Sequence, residues 1–269
     1  MIFYKTSSWG NDFIEIEAAG LPKGADVPSL ARSICDRQRG VGADGVVIYQ
    51  MPGRRPRFEI FNRDGGRAEL SGNGMAGLAA VLLHRRLARS PLILRTGIGS
   101  RQVRLLERRG PVFHLDVEIG EPDFTGRAHF PFLEPGRRSY RLAGAEFHPV
   151  SVGNPHAVVL CRKMPDPARL EALGKKLENH PMFPKRVNVE FVERSATGSC
   201  RVFFYERGVG PTQASSTGSA AVFAVLRRLG MAGDQLQIEH ESEPIRLDWQ
   251  DGIHIRIVTR LICKGRYFG

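Results

Sequence analysis

One stretch of the sequence occurs twice, and this repeat constrains the fold more than any other feature. The first copy is residues 62–74, Asn-Arg-Asp-Gly-Gly-Arg-Ala-Glu-Leu-Ser-Gly-Asn-Gly, and the second is residues 206–218, Glu-Arg-Gly-Val-Gly-Pro-Thr-Gln-Ala-Ser-Ser-Thr-Gly. Each copy runs into an apolar segment. The spacing is constant, because 206 − 62, 215 − 71 and 218 − 74 all give 144. One register therefore aligns the polar start, a serine and the last glycine.

Two further landmarks keep nearly the same spacing. Gly10-Asn-Asp-Phe corresponds to Gly153-Asn-Pro-His (153 − 10 = 143), and Asp44 corresponds to Asn188 (188 − 44 = 144). Matched landmarks in one order are hard to obtain by chance. We interpret the chain as an internal duplication with one site between the halves, the first half being residues 1–112 plus 259–269 and the second residues 113–258.

Composition fits a globular protein with two cores. The chain has 269 residues, of which 42% are hydrophobic and 25% charged, as is ordinary for soluble domains. No apolar run approaches the roughly 20 residues that cross a bilayer. The N-terminus reads directly as a strand, without a basic and then apolar signal. We therefore expect a cytoplasmic protein with no membrane partner.

The four cysteines, Cys35, Cys161, Cys200 and Cys263, are scattered without C-x-x-C spacing. We expect them to fill space as small apolar side chains in a reducing compartment. No metal site is predicted from them.

The net charge of +11 has two interpretations. Arginine pairs at 54–55, 85–86, 108–109 and 137–138 could form a nucleic-acid footprint, but they are short, dispersed and not interleaved with aromatic residues. A solvated basic surface that also attracts anionic substrates is favoured. No nucleic-acid partner is predicted.

Hydrophobic periodicity predicts mainly strands with four helices. Predicted strands are 2–8, 13–18, 46–50, 58–62, 93–96, 102–107, 112–119, 146–152, 156–162, 187–193, 199–206, 235–240, 245–249 and 253–260, and residues 120–142 read as a connecting loop. Predicted helices are 28–37, 75–83, 166–177 and 217–229. The second and fourth helices carry apolar residues on nearly every face, so both should be buried. A sheet that buries such a helix must curl around it.

Each repeat places a small-residue turn at the start of a buried helix. Free backbone N–H groups and the positive end of the helix dipole make such a place an anion site. In either copy alone, Ser, Asn and Thr would be explained as helix caps. Two matched copies instead favour a clamp for a carboxylate.

Seven motifs, in this order, resemble those of diaminopimelate epimerase. They are Gly10-Asn-Asp-Phe, Gly42-Ala-Asp-Gly, Phe61-Asn-Arg-Asp-Gly-Gly, Ser71-Gly-Asn-Gly, Gly153-Asn-Pro-His, Arg186-Val-Asn-Val and Glu206-Arg-Gly-Val-Gly. The resemblance covers nearly the whole chain. It implies an α/β (α+β) fold of two pseudo-symmetric domains, each a curled, barrel-like mixed sheet around a central buried helix, with the substrate held between them.

The resemblance also implies a reaction without cofactor. In that family two cysteines, one from each half, remove the α-proton from one face of the substrate and deliver a proton to the other. A carboxylate clamp helps by stabilising charge on the carbanion's carboxylate. Thiols suit this chemistry because their pKa, about 8.5, falls readily near helix N-termini.

Serines 71 and 215 stand at both cysteine positions of the family. A serine hydroxyl needs a strong neighbouring base before it acts as one, so the two-thiol reaction cannot run unchanged. The family usually has Gly at Ser216, an acidic residue at Pro211 and Ala-Arg at Met75-Ala76. These further departures favour natural divergence over engineered substitution.

The resemblance carries the remaining site residues over position by position. It implies that the distal carboxylate and amine of an amino acid are held by Asn11, Asn62, Asn154, Asn188, Glu206 and Arg207. It implies a clamp on the reacting carboxylate by Gly72, Asn73, Ser216 and Thr217. His156 and Glu206 match residues beside the catalytic pair, so they are the candidates for activating Ser71 or Ser215. Each residue alone could be structural; an Arg among asparagines, however, suits carboxylate recognition.

Three functions follow as alternatives. The first is a cofactor-independent epimerase of diaminopimelate (LL to meso, in lysine biosynthesis) or of a related amino acid. The second is another isomerase, tautomerase or dehydratase on this scaffold, for which one activated base or acid suffices. The third is a catalytically silent amino-acid binder. In each case the expected partner is a small amino acid with a second carboxylate, and a homodimer is an open alternative to a monomer.

Overall fold

The structure is a computed structural model, and it describes every residue except Arg54, Thr197 and Ser242, together with the side chain of Ala196. The predicted pair at 54–55 therefore lies partly outside the described residues. The chain forms two compact units. Unit 1 is Met1–Glu118 with Arg256–Gly269, and unit 2 is Ile119–Ile255.

Unit 1 contains seven complete strands, most of an eighth and two α-helices. In chain order they are β1 (Ile2–Ser8), β2 (Asn11–Glu17), a 3₁₀ turn (Ala18–Gly20), α1 (Val27–Cys35), β3 (Gly45–Gln50), β4 (Arg57–Asn62), β5 (Arg67–Ala68), α2 (Gly72–His84), β6 (Leu92–Thr96), β7 (Gly99–Arg109) and β8 (Val112–Gly120), the last of which ends just past the unit boundary. The unit is completed by the end of β17 (Gly252–Arg266).

Eight strands of unit 1 pair into a closed ring. The order is β17, β1, β2, β3, β4, β6, β7, β8, and β8 pairs with β17 to complete it. The pairs β2–β3 and β4–β6 are parallel. This ring is the curled mixed sheet that the sequence predicts.

Helix α2 lies against the concave face of that ring, in contact with β1, β2 and β7. Its residues from Gly72 to Leu82 are all buried, as the all-round apolar pattern predicts. A glycine allows the helix to approach the sheet: a Cβ at Gly77 would collide with Glu15 Oε1 and Thr6 Oγ1. Thr6 Oγ1 donates a hydrogen bond to Glu15 Oε1 at 2.5 Å. Burial raises the pKa of Glu15 well above its usual value.

Unit 2 repeats this order of elements. They are β9 (Tyr140–Leu142), β10 (Ala145–Ser151), β11 (Pro155–Cys161), α3 (Pro167–Glu178), β12 (Asn188–Ala196), β13 (Ser199–Glu206), β14 (Gly210–Thr212), α4 (Ser216–Arg228), β15 (Gln235–Ile238), β16 (Ile245–Gln250) and the start of β17. Pairing runs β9, β10, β11, β12, β13, β15, β16, with β11–β12 and β13–β15 parallel. Helix α4 is buried from Ser216 to Leu226 and packs on β10, β11, β12 and β16.

The opposite face of each sheet carries a second core. In unit 1, Ala31 and Ile34 of α1 pack with Ile14, Ile16 and other strand residues. In unit 2, Leu170 and Leu177 of α3 pack with an aromatic cluster that includes Phe147, Phe183 and Phe191. Because both faces of the central strands are covered, β2 and β11 are buried along almost their whole length.

The predicted fold class is confirmed, and the four predicted helices and the long strands lie where the sequence places them. Three short elements went unpredicted: β5, β14 and the 3₁₀ turn. Residues 120–142 are largely irregular, as predicted, except for β9 at their end. None of the described helices has the length and apolarity to cross a bilayer.

The cysteines follow expectation only in part. All four are free. Cys35 and Cys200 are buried, and burial raises the pKa of each thiol to about 12. Cys263 is exposed, so the expectation of apolar filler is wrong there. Cys263 lies on β17, where the side chains of the ring's outer face alternate with those facing inward.

Candidate functional site

Helix α4 begins beside a serine and a carboxylate. Ser215 is the N-cap residue, and its Oγ accepts the Gly218 N–H at 3.2 Å. The same hydroxyl donates to Glu206 Oε2 at 3.3 Å. Glu206 ends β13, so the strand delivers the carboxylate and the helix delivers the hydroxyl. Glu206, a candidate for activating Ser71 or Ser215, is therefore hydrogen-bonded to Ser215.

The environment of Glu206 favours its neutral form. Its pKa is raised to about 7, chiefly by burial, and Glu190 adds to the rise. The neighbouring Thr212 side chain, the Ser215 hydroxyl and His156 act in the opposite direction and lower the pKa. A carboxyl group with a pKa near neutrality can both take and give a proton under ordinary conditions.

Four buried side chains form a hydrogen-bonded chain that ends at the same helix. Glu190 Oε1 lies 2.7 Å from His156 Nδ1, and His156 Nε2 lies 2.9 Å from Asn154 Oδ1. Asn154 Nδ2 then donates to Thr217 Oγ1 at 3.4 Å. We call these four residues the α4 relay. All are at least nine-tenths buried, His156 completely.

The fold explains how the α4 relay is assembled. The parallel register of β11 and β12 pairs His156 with Asn188 and Val158 with Glu190. Glu190 is thus two residues along the neighbouring strand and on the same face of the sheet. Gly218 makes room above it, since a Cβ there would lie 2.8 Å from Glu190 Oε1.

The turn after Glu206 is fixed by two side chains from other elements. Asn188 Oδ1 accepts the Arg207 N–H at 3.0 Å, while its Nδ2 donates to the Pro155 carbonyl at 2.9 Å. Glu178, at the end of α3, accepts the Gly208 N–H at 2.7 Å. Glu178 also pairs with Arg186 at 3.2 Å. The structure therefore gives Asn188 a role in shaping the turn.

The side chain of Arg207 is directed away from that turn. Its Nη1 donates to the Lys185 carbonyl at 3.0 Å. Recognition of a distal carboxylate by Arg207 stays a prediction.

Helix α2 begins in a related way in unit 1. Ser71 is the N-cap residue, and its Oγ accepts the Gly74 N–H at 3.1 Å. Asn73 Nδ2 donates to Asn11 Oδ1 at 3.0 Å, and Asn11 Nδ2 donates to Asp44 Oδ2 at 3.1 Å. In the part of the chain that the structure describes, Ser71 Oγ has no hydrogen bond to a carboxylate.

Asp44 belongs to a charged network that anchors Asn11. Arg37 bonds both Asp12, at 2.8 Å, and Asp44, at 2.9 Å, and Lys5 lies 2.9 Å from Asp12. Burial works against ionisation of Asp12, but Arg37 and Lys5 outweigh it and lower its pKa. Asn11 is therefore held against a carboxylate, which fixes its amide as a donor on that side.

The other predicted residues occupy helix starts and a strand end. Gly72 and Ser216 are the first residues of α2 and α4, followed by Asn73 and Thr217. Backbone N–H groups at a helix start have no partner within the helix, and such a start favours anions; the carboxylate clamp stays a prediction. Asn62 ends β4, where its backbone closes the turn with Gly65 and Gly66.

The sequence did not lead us to predict two residues of this site, Glu190 and Glu178. Glu190 sits between Val189 and Phe191 in a buried strand, and a charge within an apolar strand is the signal that could have indicated it. Glu178 carries no comparable signal, because an acidic residue near a helix end is ordinary. Among the described residues no group of three or more His, Cys, Asp or Glu side chains is arranged to hold a metal ion.

Comparison with known proteins identifies the family. The sequence model described as diaminopimelate epimerase matches residues 3–125 and 149–259. The chain belongs to the diaminopimelate epimerase family. A diaminopimelate epimerase of Pelotomaculum thermopropionicum is 32% identical over 95% of this chain and 94% of its own length. One from Halorhodospira halophila is 37% identical over 93% and 88%.

A solved structure supports the fold independently. A probable proline racemase from Agrobacterium radiobacter matches with a TM-score of 0.73 at 17% identity, over 99% of this chain and 92% of that one. Such low identity shows the shared fold alone. Family membership places the chain among isomerases of the epimerase and racemase type.

Proposed function

We propose that this protein is a cofactor-independent epimerase acting at the α-carbon of an amino acid with a second carboxylate, with diaminopimelate (LL to meso) as the substrate and lysine biosynthesis as its setting. The observation that carries the proposal is the hydrogen bond between Ser215 and Glu206 at the start of α4. Family membership supplies the substrate class. The start of a helix offers backbone N–H donors to a carboxylate, which supports the choice of an acidic substrate.

The Ser215–Glu206 pair replaces a thiol as the proton-transfer group. Ser215 Oγ takes the substrate's α-proton while its own proton passes to Glu206 Oε2. The Cα–H bond breaks, and its electron pair remains on the α-carbon and its carboxylate. Helix N–H groups at Ser216 and Thr217 stabilise that developing charge. Because the pKa of Glu206 is about 7, the carboxyl group can accept the proton and later return it.

Inversion also requires a proton donor for the opposite face, and we propose Ser71 for that role. Its hydroxyl has no carboxylate acceptor among the described residues, so it keeps its proton at neutral pH. The alkoxide left after transfer would be stabilised by the Gly74 N–H, which Ser71 Oγ already accepts, and by the helix dipole.

A second candidate function rests on the difference between Ser71 and Ser215. Of the two N-cap serines, Ser215 donates to a carboxylate, and Ser71 has no such bond among the described residues. One acid–base group is enough for an isomerase that moves a proton within one face. Such an enzyme would exchange the α-proton without inverting the centre.

Incubation of LL- and meso-diaminopimelate in deuterated water, followed by NMR, tests the proposal. The native protein should exchange the α-proton and interconvert the two isomers. Exchange without interconversion would favour the second candidate. Neither reaction in the native protein, with both appearing in the Ser71→Cys/Ser215→Cys variant, would contradict serine-based catalysis.

A further inference from the structure

The direction of the hydrogen bonds in the α4 relay depends on one proton. Asn154 presents Oδ1, an acceptor, to His156 Nε2 and presents Nδ2, a donor, to Thr217 Oγ1. Nε2 must therefore carry a proton. A neutral ring protonated only at Nδ1 would instead turn the Asn154 amide around.

Glu190 is the hydrogen-bond partner of the other ring nitrogen, Nδ1. Its Oε1 lies 2.7 Å from Nδ1, so one proton is shared between the carboxylate and that nitrogen. Because Asn154 Oδ1 requires a proton on Nε2, the shared proton belongs either to Nδ1 of an imidazolium beside an ionised Glu190 or to a protonated Glu190 beside a neutral ring. From His156 onward the hydrogen bonds then point toward helix α4.

Thr217 is the last member of the α4 relay, and the direction of the hydrogen bonds determines what its hydroxyl can do. Its oxygen already accepts a hydrogen bond from Asn154, so its own O–H is free to donate elsewhere. The hydroxyl joins the N–H groups at the start of α4, where an anion is favoured.

In unit 1, the hydrogen bonds between the corresponding residues point in the opposite direction. Asn73 and Asn11 correspond to Thr217 and Asn154 by the repeat spacing. Asn73 donates to Asn11, which donates to Asp44, so the bonds point away from helix α2. The two helix starts therefore differ in the groups they offer, although their backbones match.

We infer that Glu190 is a positioning residue that sets the direction of the α4 relay through His156 and Asn154, and thereby makes the Thr217 hydroxyl a hydrogen-bond donor to the substrate's carboxylate. The inference about the carboxylate rests on the proposed function. The inference about the direction of the relay does not.

The protonation of His156 Nε2 tests the direction without any substrate. The protein is labelled with ¹⁵N-histidine, and its eight histidines are followed by long-range ¹H–¹⁵N NMR, with His156 assigned from His156→Gln. We expect Nε2 to be protonated in the native protein. Glu190→Gln should keep it so, because the glutamine amide can donate to Nδ1. An unprotonated Nε2 in the native protein would overturn the inference.

Binding of meso-diaminopimelate by calorimetry tests the role of the hydroxyl. Thr217→Val keeps the shape and should weaken binding tenfold or more, whereas Thr217→Ser keeps the donor and should stay within about threefold of native. Glu190→Ala should weaken binding as Thr217→Val does, and Glu190→Gln should rescue most of it. Native-like binding by Thr217→Val would overturn the assignment of the carboxylate.

The two experiments separate the possible failures. If Nε2 is protonated but the native protein binds no diaminopimelate, the proposed function and the carboxylate assignment fail while the direction of the relay is confirmed. Glu171→Gln, an exposed position on α3, is the matched control for loss of a glutamate charge and should change neither measurement.

Discussion

The Ser215 hydroxyl donates to Glu206 Oε2 across 3.3 Å, and the two residues belong to different elements of one unit. The repeat motif separates them by nine positions, yet the return from β13 to α4 brings them together. Ser215 thus stands beside a carboxyl group that can accept its proton.

The pH dependence of activity should follow Glu206. A base with a pKa of about 7 is about one-tenth ionised at pH 6. We expect kcat/KM for diaminopimelate to rise about tenfold between pH 5 and pH 6 and to level off above pH 8. Measurement of initial rates in buffers of constant ionic strength checks this. A profile that is flat from pH 5 to pH 8 would exclude Glu206 as the base.

The same carboxyl group should make stability depend on pH. Its pKa is raised from 4.5 to about 7, so the folded state binds the proton more tightly than the unfolded state. The resulting stability is present below pH 4.5 and is lost as the pH rises to about 7. The loss is at most about 3 kcal/mol, because each pKa unit corresponds to about 1.4 kcal/mol.

Glu206→Gln removes this dependence. Compared with the native protein, the variant should gain up to about 3 kcal/mol in free energy of unfolding between pH 4.5 and pH 8, as measured by urea denaturation. Glu171→Gln should track the native protein throughout. A constant difference between Glu206→Gln and native would show that the pKa of Glu206 is not raised.

Much of the fold follows from the sequence because its signals are local. The repeat register and the all-round apolar helices α2 and α4 predict two curled sheets, each around a buried helix. The positions of Ser71 and Ser215 as helix caps also follow from residue type. Short strands such as β5 and β14 were missed because two or three residues carry no detectable periodicity.

The α4 relay could not be predicted in the same way. Glu190 and His156 are 34 positions apart, and only the parallel register of β11 and β12 brings them together. Likewise, the contact of Glu178 with Gly208 depends on where α3 ends. Such pairings are set by tertiary packing, which a pattern within one segment does not encode.

Gly77 should be intolerant of a side chain. Gly77→Ala would drive a methyl group into Glu15 and Thr6 and should destabilise the protein by about 1–3 kcal/mol. Gly20→Ala is the control, since nothing lies within 4 Å of a Cβ there, and it should change stability by less than about 0.5 kcal/mol. Addition of Glu15→Val to Gly77→Ala should restore part of the loss in denaturation experiments. An unchanged midpoint for Gly77→Ala would contradict this packing.

Glu178 is not one of the proposed proton-transfer residues, but activity should depend on it. Glu178→Ala removes the acceptor of the Gly208 N–H and the partner of Arg186. The turn that follows Glu206 should loosen, and kcat/KM should fall about tenfold, as expected for a lost hydrogen bond to a charged group. Glu171→Ala, on the exposed face of the same helix, should retain native kinetics. Equal rates for the two variants would show that the turn holds without Glu178.

The central claim is that Ser215 and Glu206 act as one proton-transfer unit, and a double-mutant cycle of α-proton exchange tests it most directly. Exchange of diaminopimelate in deuterated water is measured for the native protein, Ser215→Ala, Glu206→Gln and the double variant. We predict that each single substitution lowers the rate about 100-fold or more and that the double variant is no slower than the slower single variant. A native rate in either single variant, or losses that multiply in the double variant, would contradict the claim.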